Sequence, residues 1–197
     1  MQKRSLLLFI MLTGSILITC AQVEKQVQSR KGCSCSFSSI NQAGILNGAK
    51  GAYYQLQTIN GIKYKTWFAG IGVGVDPYSR TGYPLFFDLR KDFLNKNATP
   101  FLYADAGAHI VKDKNDQINN WYENVYRNGA YTDVGIGYKF PVLSKFQGVI
   151  SAGYSYKYVE RKSVFSGSNC PSGLCYDNYE TYKSYLHRGT IKLGFQF

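Results

Sequence analysis

Apolar and polar residues alternate along much of the chain, and the clearest example is its last segment, Thr190–Phe197. Every second position of this segment carries a large apolar side chain, namely Ile191, Leu193, Phe195 and Phe197. A period of two over a whole segment predicts a β-strand with one apolar face and one polar face. The apolar stripe continues to the last residue, where soluble domains usually have a loosely held polar tail. This ending is typical of the closing strand of a transmembrane β-barrel.

Turn residues divide the chain from Ser36 onward into runs of strand length. Asn47-Gly48 and Asn60-Gly61 are dipeptides typical of two-residue hairpins, and they predict the first two turns. The predicted strands are Ser36–Leu46, Ala52–Thr58, Ile62–Val75, Pro84–Phe93, Pro100–Ile110, Gly129–Phe140, Gln147–Val159 and Tyr185–Phe197.

The connections between these strands alternate in length. Counted back from Phe197, long and short connections follow one another at residues 160–184, 141–146, 111–128, 94–98, 76–82 and 59–61. Outer-membrane barrels have short periplasmic turns and longer external loops, and an even number of strands leaves no free edge. We therefore predict an all-β fold, an eight-stranded antiparallel up-and-down transmembrane β-barrel, with residues 36–197 as the barrel domain.

The polar faces of the predicted strands carry charged residues near mid-strand. These residues are Asp88, Arg90, Asp105, Asp133, Lys139, Lys157 and Lys192. Eight strands enclose a lumen just wide enough to be filled by side chains, and buried charges need partners. We therefore predict a lumen charge network in which Lys192 meets the three aspartates. The alternative is a path for ions or protons, which no further feature of the sequence favours.

The N-terminus has the pattern of a secretory signal peptide over residues 1–21. Lys3 and Arg4 precede a 13-residue apolar run, Leu6–Ile18, which is shorter than a comfortable membrane-spanning helix. Thr19-Cys20-Ala21 offers small residues for cleavage. An uncleaved anchor helix and a lipidated Cys20 are the alternatives. We expect residues 22–35 to be a flexible periplasmic lead-in and the protein to reach the cell outer membrane.

Composition agrees with a barrel that meets lipid on one side and a polar lumen on the other. The chain has 17 tyrosines and 20 glycines, and its formal net charge is +11. Without Lys3 and Arg4, 21 basic and 12 acidic residues remain, a net charge of +9. The basic residues form no cluster and no nucleic-acid-binding module, so we predict no nucleic-acid partner. Outer-membrane lipid and the phosphates of lipopolysaccharide are the expected anionic partners.

Four cysteines follow the predicted signal peptide. Cys170 and Cys175 enclose a Pro/Gly turn, which predicts a disulfide in an oxidising compartment. Cys33 and Cys35 form a disulfide or remain free thiols. They lack neighbouring ligands for a metal site, and we predict no metal and no cofactor.

Catalysis has little support in the sequence. His109 and His187 are the only histidines. A Ser–His–carboxylate set would have to combine Ser151 or Ser155 with Asp105 or Glu160, and no local motif selects them. We predict that the protein is not an enzyme. An outer-leaflet lipid-modifying enzyme of deacylase type, using one of the histidines, and a soluble periplasmic lipocalin-like barrel are the alternatives.

The predicted external loops, residues 111–128 and 160–184, are the expected sites of contact with a surface ligand. Trp121, Tyr122 and Tyr126 are the candidate contact residues in the first of them. Because loops on a rigid scaffold often carry function, we predict a structural or surface-binding role.

Several spaced blocks resemble small outer-membrane β-barrel proteins of Bacteroidota. The blocks are 44–48 (GILNG), 57–63 (QTINGIK), 70–76 (GIGVGVD), 84–90 (PLFFDLR) and 100–107 (PFLYADAG). The resemblance implies a porin-like or adhesin-like barrel domain and carries over no catalytic residue. It also implies that Leu193, Phe195 and Phe197 form the C-terminal signal for the barrel insertion machinery.

Overall fold

The computed structural model describes residues 35–112, 115–119, 122–143, 146–165 and 178–197. The ten strands in these segments are β1 (Cys35–Gly48), β2 (Gly51–Tyr64), β3 (Trp67–Val75), β4 (Gly82–Asp92), β5 (Thr99–Val111), β6 (Asn115–Asn119), β7 (Tyr122–Arg127), β8 (Gly129–Leu143), β9 (Phe146–Phe165) and β10 (Asn178–Gln196). No helix in the described segments is long and apolar enough to cross a membrane. The predicted signal peptide and nearly all of the predicted lead-in lie outside the described residues.

Eight of the ten strands pair into a closed ring. β1 to β5 pair in chain order, β5 pairs with β8, and β9 and β10 follow. β10 also pairs with β1, from Ile40↔Gln196 to Gly48↔Arg188, and this pairing closes the ring. All of these pairings are antiparallel. The predicted eight-stranded antiparallel up-and-down barrel is therefore confirmed.

The register of the ring determines how far its strands tilt. Successive register partners run from Ser38 on β1 through Gly61, Gly70, Asp88, Asp105, Asp133, Ser155 and Arg188 and return to β1 at Gly48, ten residues further on. A stagger of this kind requires strands that are tilted relative to the barrel axis. The lumen of such an eight-stranded barrel is narrow enough for side chains to fill it.

Side chains alternate between the lumen and the outer surface. On β10, Ile191 and Leu193 are 62% and 59% exposed, whereas Lys192 between them is 2% exposed. β4, β5, β8 and β9 alternate in the same way, with apolar side chains outward. Their inward side chains are mostly polar, with a few buried apolar ones such as Phe86, Phe101 and Val149. We call the end of the barrel with the β2–β3 turn and the C-terminus the turn end, and the opposite end the loop end. Exposed Trp67 and Tyr138 lie near the turn end and exposed Tyr185 near the loop end.

The predicted hairpin at Asn60-Gly61 is wrong, because both residues lie inside β2. The turn comes at Lys65-Thr66, where Lys65 has a φ of 54°. Gly61 is instead a point of close approach between strands, since a Cβ there would lie 2.2 Å from the carbonyl oxygen of Ala69. With the turn at this position, Lys63 belongs to β2 and lies on its lumen face, opposite to the outward face of Trp67.

The first hairpin turn comes two residues later than Asn47-Gly48, where the sequence predicted it. Asn47 and Gly48 are still paired in β1, and the turn consists of Ala49-Lys50. Gly51 follows the turn with a φ of 98°, a conformation that glycine adopts without steric cost.

Two long connections that the sequence predicted as loops contain regular strands. Residues 111–128 include the β6–β7 hairpin, and β7 pairs with β9 from Tyr122↔Phe165 to Arg127↔Glu160. Within 160–184, β9 and β10 stay paired as far as Phe165↔Asn178. These strand portions extend past the ring at the loop end, where both faces can be polar, and so the alternation used for prediction is absent.

Candidate functional site: a filled lumen and an extended rim

The middle of the lumen holds a row of three aspartates on adjacent strands. Asp88, Asp105 and Asp133 are register partners on β4, β5 and β8, and all three are buried. Arg90 Nη2 lies 2.9 Å from Asp88 Oδ2. Lys192 Nζ lies 2.8 Å from Asp133 Oδ2 and 3.7 Å from Asp105 Oδ2. Because an isolated buried charge is strongly unfavourable, this row depends on its two cations.

Neutral side chains complete this central network. Tyr103 and Tyr131 donate hydrogen bonds to the two carboxylate oxygens of Asp133, at 2.9 and 3.3 Å. Gln57 Nε2 donates to the Tyr131 hydroxyl at 2.8 Å, and Gln42 Nε2 donates to Gln57 Oε1 at 2.6 Å. The hydrogen bonds therefore cross the lumen from β8 to β1 and fix the side chains that fill it.

A second ion-pair cluster lies nearer the turn end. Lys139 Nζ is 2.7 Å from Asp92 Oδ1, and Lys63 Nζ is 3.3 Å from Asp92 Oδ2. The sequence placed Lys139 in one network with the central aspartates, whereas the structure pairs it with Asp92. Sequence reasoning missed Asp92 because it lies at the end of a predicted strand, next to the turn at 94–98.

A third cluster lies near the loop end. Arg188 Nη1 is 2.6 Å from Asp76 Oδ2, and Lys157 Nζ is 3.5 Å from the same oxygen. Arg188 Nη2 also donates a hydrogen bond to Ser155 Oγ at 2.7 Å. Lys157, predicted as part of the central network, is therefore paired with an aspartate outside it. Asp76 was missed because the sequence placed it in an external loop.

The β3–β4 connection, residues 76–81, folds into the mouth of the barrel. Its Tyr78 is buried in an apolar cluster with Leu46, Val159 and Leu186. The Tyr78 hydroxyl accepts a hydrogen bond from the backbone nitrogen of Lys50 at 2.8 Å. Lys157 Nζ donates to the carbonyl oxygens of Tyr78 and Arg80 at 2.9 and 3.1 Å. This connection therefore fills the lumen at the loop end.

The two histidines occupy opposite faces of the barrel wall. His109 is fully buried in the lumen, whereas His187 is exposed on the outer surface and its Nδ1 is hydrogen-bonded to the Tyr154 hydroxyl. Ser155 is bonded to Arg188, and Glu160 is paired with an arginine at the rim. Among the described residues, no three His, Cys, Asp or Glu side chains come together as metal ligands.

The extended portions of β9 and β10 form a rim that carries cations against aromatic rings. The Arg161 guanidinium lies 4.6 Å from the centroid of the Tyr182 ring, and Lys162 Nζ lies 4.7 Å from that of Tyr179. Tyr126, one of the predicted contact residues, is partly buried beneath the guanidinium of Arg80. The side chains of the other two, Trp121 and Tyr122, lie outside the described residues.

The cysteines are described only at the start of the barrel. Cys35 is disulfide-bonded, which selects one of the two states that the sequence left open for it. Cys33 and the predicted Cys170–Cys175 pair lie outside the described residues.

The C-terminal residues are held by the first strand. Leu193, Phe195 and Phe197 all lie on the outer surface. The carbonyl oxygen of Phe197 accepts hydrogen bonds from the backbone nitrogen of Ser39 at 2.8 Å and from Ser38 Oγ at 3.0 Å. The terminal aromatic is thus a fixed part of the ring closure.

A methyl group at Gly153 is expected to destabilise the barrel by about 1–3 kcal/mol, because it would overpack the lumen. A Cβ at this position would lie 2.3 Å from the hydroxyl oxygen of Tyr103, the group that bonds Asp133. Urea unfolding of Gly153→Ala in detergent micelles measures the loss. Gly189→Ala is the control, because a Cβ there has its nearest neighbour at 3.9 Å. Equal losses in the two variants would contradict a tightly filled lumen.

Comparison with known proteins identifies the fold. No family model and no curated protein sequence matches the chain. The crystal structure of Neisserial surface protein A is similar with a TM-score of 0.50 and 12% identity, over 83% of this chain and 97% of that one. The N-terminal β-barrel domain of Pseudomonas aeruginosa OprF gives a TM-score of 0.47 at 12% identity, over 81% and 97% of the two chains. The outer membrane protein AlkL gives 0.46 at 10% identity, over 88% and 94%.

Proposed function

We propose that this protein is a non-enzymatic barrel of the bacterial outer membrane that presents its loop end for contacts at the cell surface. One observation carries the proposal: the ring has an apolar outer surface and a lumen filled with paired charges. A soluble lipocalin-like barrel has the opposite arrangement, because its outer surface must meet water. The fold shared with Neisserial surface protein A supports the location, as do the predicted signal peptide and the likeness to Bacteroidota barrels.

The filled lumen supports a structural role over transport. Central, turn-end and loop-end clusters follow one another through the lumen, and residues 76–81 fill its mouth. Wide aqueous channels occur in barrels with about 16 strands, twice the number in this ring. We therefore expect the folded protein to form no wide channel.

The rim supports a surface-contact role. Arg161 and Lys162 lie beyond the ring, each against a tyrosine, where they can meet the phosphates of lipopolysaccharide or an anionic surface ligand. The exposed C-terminal stripe of Leu193, Phe195 and Phe197 is available to the barrel insertion machinery.

Cell fractionation combined with gel mobility tests the location. We expect the protein in the outer-membrane fraction, with a band that migrates differently before and after boiling, because a folded barrel resists detergent. Recovery in the soluble periplasm without detergent would overturn the proposal. In planar lipid bilayers the purified protein should give no large stepwise conductance, and porin-sized steps would contradict the filled lumen.

Replacing both histidines tests the proposal that the protein is not an enzyme. His109 is enclosed in the lumen and His187 lies on the outer wall, so the two cannot serve one site. The variant His109→Gln/His187→Gln is expected to leave the mass spectrum of lipid A unchanged in cells that express the protein. A difference between wild type and variant, in a fully folded barrel, would favour the lipid-modifying enzyme.

A further inference from the structure

A small polar patch interrupts the apolar outer surface on β1 and β2. We define it by Asn41, Thr58 and Asn60, which lie on the outward faces of these strands. Asn41 and Thr58 are register partners, and Thr58 Oγ1 donates a hydrogen bond to Asn41 Oδ1 at 2.8 Å. Asn60 follows Thr58 on the same face of β2.

Apolar side chains flank this polar patch on both neighbouring strands, and Ser39, the register partner of Asn60 on β1, is buried beside it. Its register partners on the flanking strands are Phe195, Val73 and Ile71, which are 48%, 53% and 55% exposed. Toward the loop end the next exposed apolar side chains on β1 and β2 are Ile45 and Leu56, and toward the turn end they are Phe37 and Ile62. The patch therefore lies at a depth where the rest of the outer surface is suited to lipid tails.

The patch has hydrogen-bonding groups left to satisfy. Within the described part of the chain, the amide nitrogen of Asn41 and the whole side-chain amide of Asn60 have no hydrogen-bond partner. Lipid tails offer no donors or acceptors, and an unsatisfied polar group in hydrocarbon is costly. An occupant that relieves this cost must bring polar groups of its own to the same depth.

A groove of about 780 Å³ lies over the Asn41–Thr58 pair of the patch, and Asn60 lies beyond its lining. Asn41, Ala43 and Thr58 line it together with larger side chains on each side, Leu193 and Phe195 from β10 and Val73 and Tyr83 from β3 and β4. The groove has raised apolar edges beside small or polar residues, a shape that allows another protein wall to approach closely.

We infer that the groove and its polar patch form the interface of a two-fold symmetric dimer, with a second copy of this barrel as the occupant. Each asparagine amide is both donor and acceptor, so Asn41 and Asn60 of one copy can pair with those of the other. The patch carries no charge, and no like-charge repulsion opposes its self-association. A two-fold interface uses one surface on both copies, which a self-complementary patch satisfies. The inference rests on the membrane location proposed above, which fractionation tests independently.

Energy transfer between labelled copies in phosphatidylcholine vesicles tests the dimer. One sample of the protein carries a donor dye at its N-terminus and a second sample carries an acceptor dye. The two samples are reconstituted together over a range of protein-to-lipid ratios. We expect the transfer efficiency to depend on the acceptor fraction as it does for a dimer, and to fall when the protein is diluted with lipid. In Asn41→Leu/Asn60→Leu the dissociation constant should rise about tenfold or more, because each side-chain hydrogen bond formed within a membrane contributes modestly and the two-fold axis doubles their number.

The double variant should fold about as well as wild type, because the two amides it removes from a lipid-facing wall offset the acceptor that the Thr58 hydroxyl loses. Heat-modifiable mobility checks that it does. Ile136→Leu on β8, three strands from β1 and four from β2 around the ring, is the matched control and should leave energy transfer unchanged. Wild-type transfer at the random level for every ratio, or equal association of wild type and the double variant, would overturn the inference.

Discussion

Replacing Lys192 with methionine is expected to lower the free energy of unfolding by about 3–5 kcal/mol, the cost of leaving a buried charge without its partner. Lys192 Nζ is 2.8 Å from Asp133 and 3.7 Å from Asp105, and it is the only ion-pair partner that the described residues give to either carboxylate. Methionine keeps much of the side-chain volume and removes the charge. Urea unfolding in detergent micelles, followed by tryptophan fluorescence, measures the change.

A second substitution separates charge from packing at this position. In Lys192→Met/Asp133→Asn, one of the stranded carboxylates becomes a neutral amide whose oxygen still accepts the hydrogen bond of Tyr103, so part of the stability should return. Lys183→Met, at an exposed position of the same strand, is expected to have no measurable effect. The ion-pair account of the lumen would be wrong if Lys192→Met were as stable as wild type. It would also be wrong if the double variant were less stable than Lys192→Met.

The sequence predicts the barrel well because the ring meets two different surroundings. One face of each strand meets the apolar exterior and the other meets a polar lumen, and so alternation as in β10 marks both the strand and its orientation. The signal fails where the surroundings are the same on both faces. Arg161 and Tyr182 are register partners beyond the ring, in a segment that looks like a polar loop when it is taken alone.

The pairing of charges in the lumen depends on the register, which one strand's sequence does not contain. Alternation correctly places Lys139, Lys157 and Lys192 inside, yet only the ten-residue stagger of the ring decides the height of each. Lys139 therefore meets Asp92, and Lys157 meets Asp76. Asp76 in particular enters the lumen from a connection, where period-two reasoning does not apply.

Asn60-Gly61 illustrates a different limit of sequence reasoning. The dipeptide is a strong hairpin signal because asparagine and glycine tolerate positive φ. In the structure glycine is required for another reason, the close approach of Ala69 on β3, and Asn60 belongs to the outward polar patch. In this dipeptide the glycine allows a close contact between strands and the asparagine presents a polar group on the outer surface. The local sequence does not distinguish these two roles from a hairpin turn.

Replacing Asp76 with asparagine is expected to cost about 3–5 kcal/mol and to release residues 76–81 from the barrel mouth. Asp76 is the carboxylate that both Arg188 and Lys157 contact, at 2.6 and 3.5 Å, so the variant leaves two like charges buried side by side. The backbone nitrogen of Tyr78 can still bond the asparagine oxygen, as it bonds Asp76 Oδ1 at 2.9 Å. Urea unfolding measures the loss of stability, and trypsin cleavage after Arg80 in the folded barrel measures release.

Lys50→Met is the matched control, because it removes an exposed hydrogen bond from Lys50 Nζ to Ser79, in the same connection, without disturbing a buried charge. We expect Lys50→Met to keep wild-type stability and to resist trypsin at the peptide bond after Arg80. We expect Asp76→Asn to be cleaved at the same bond. The two variants separate buried charge from surface contact as the force that holds the connection in place. Resistance of folded Asp76→Asn to trypsin, with wild-type stability, would mean that the packing of Tyr78 against Leu46, Val159 and Leu186 suffices to close the mouth.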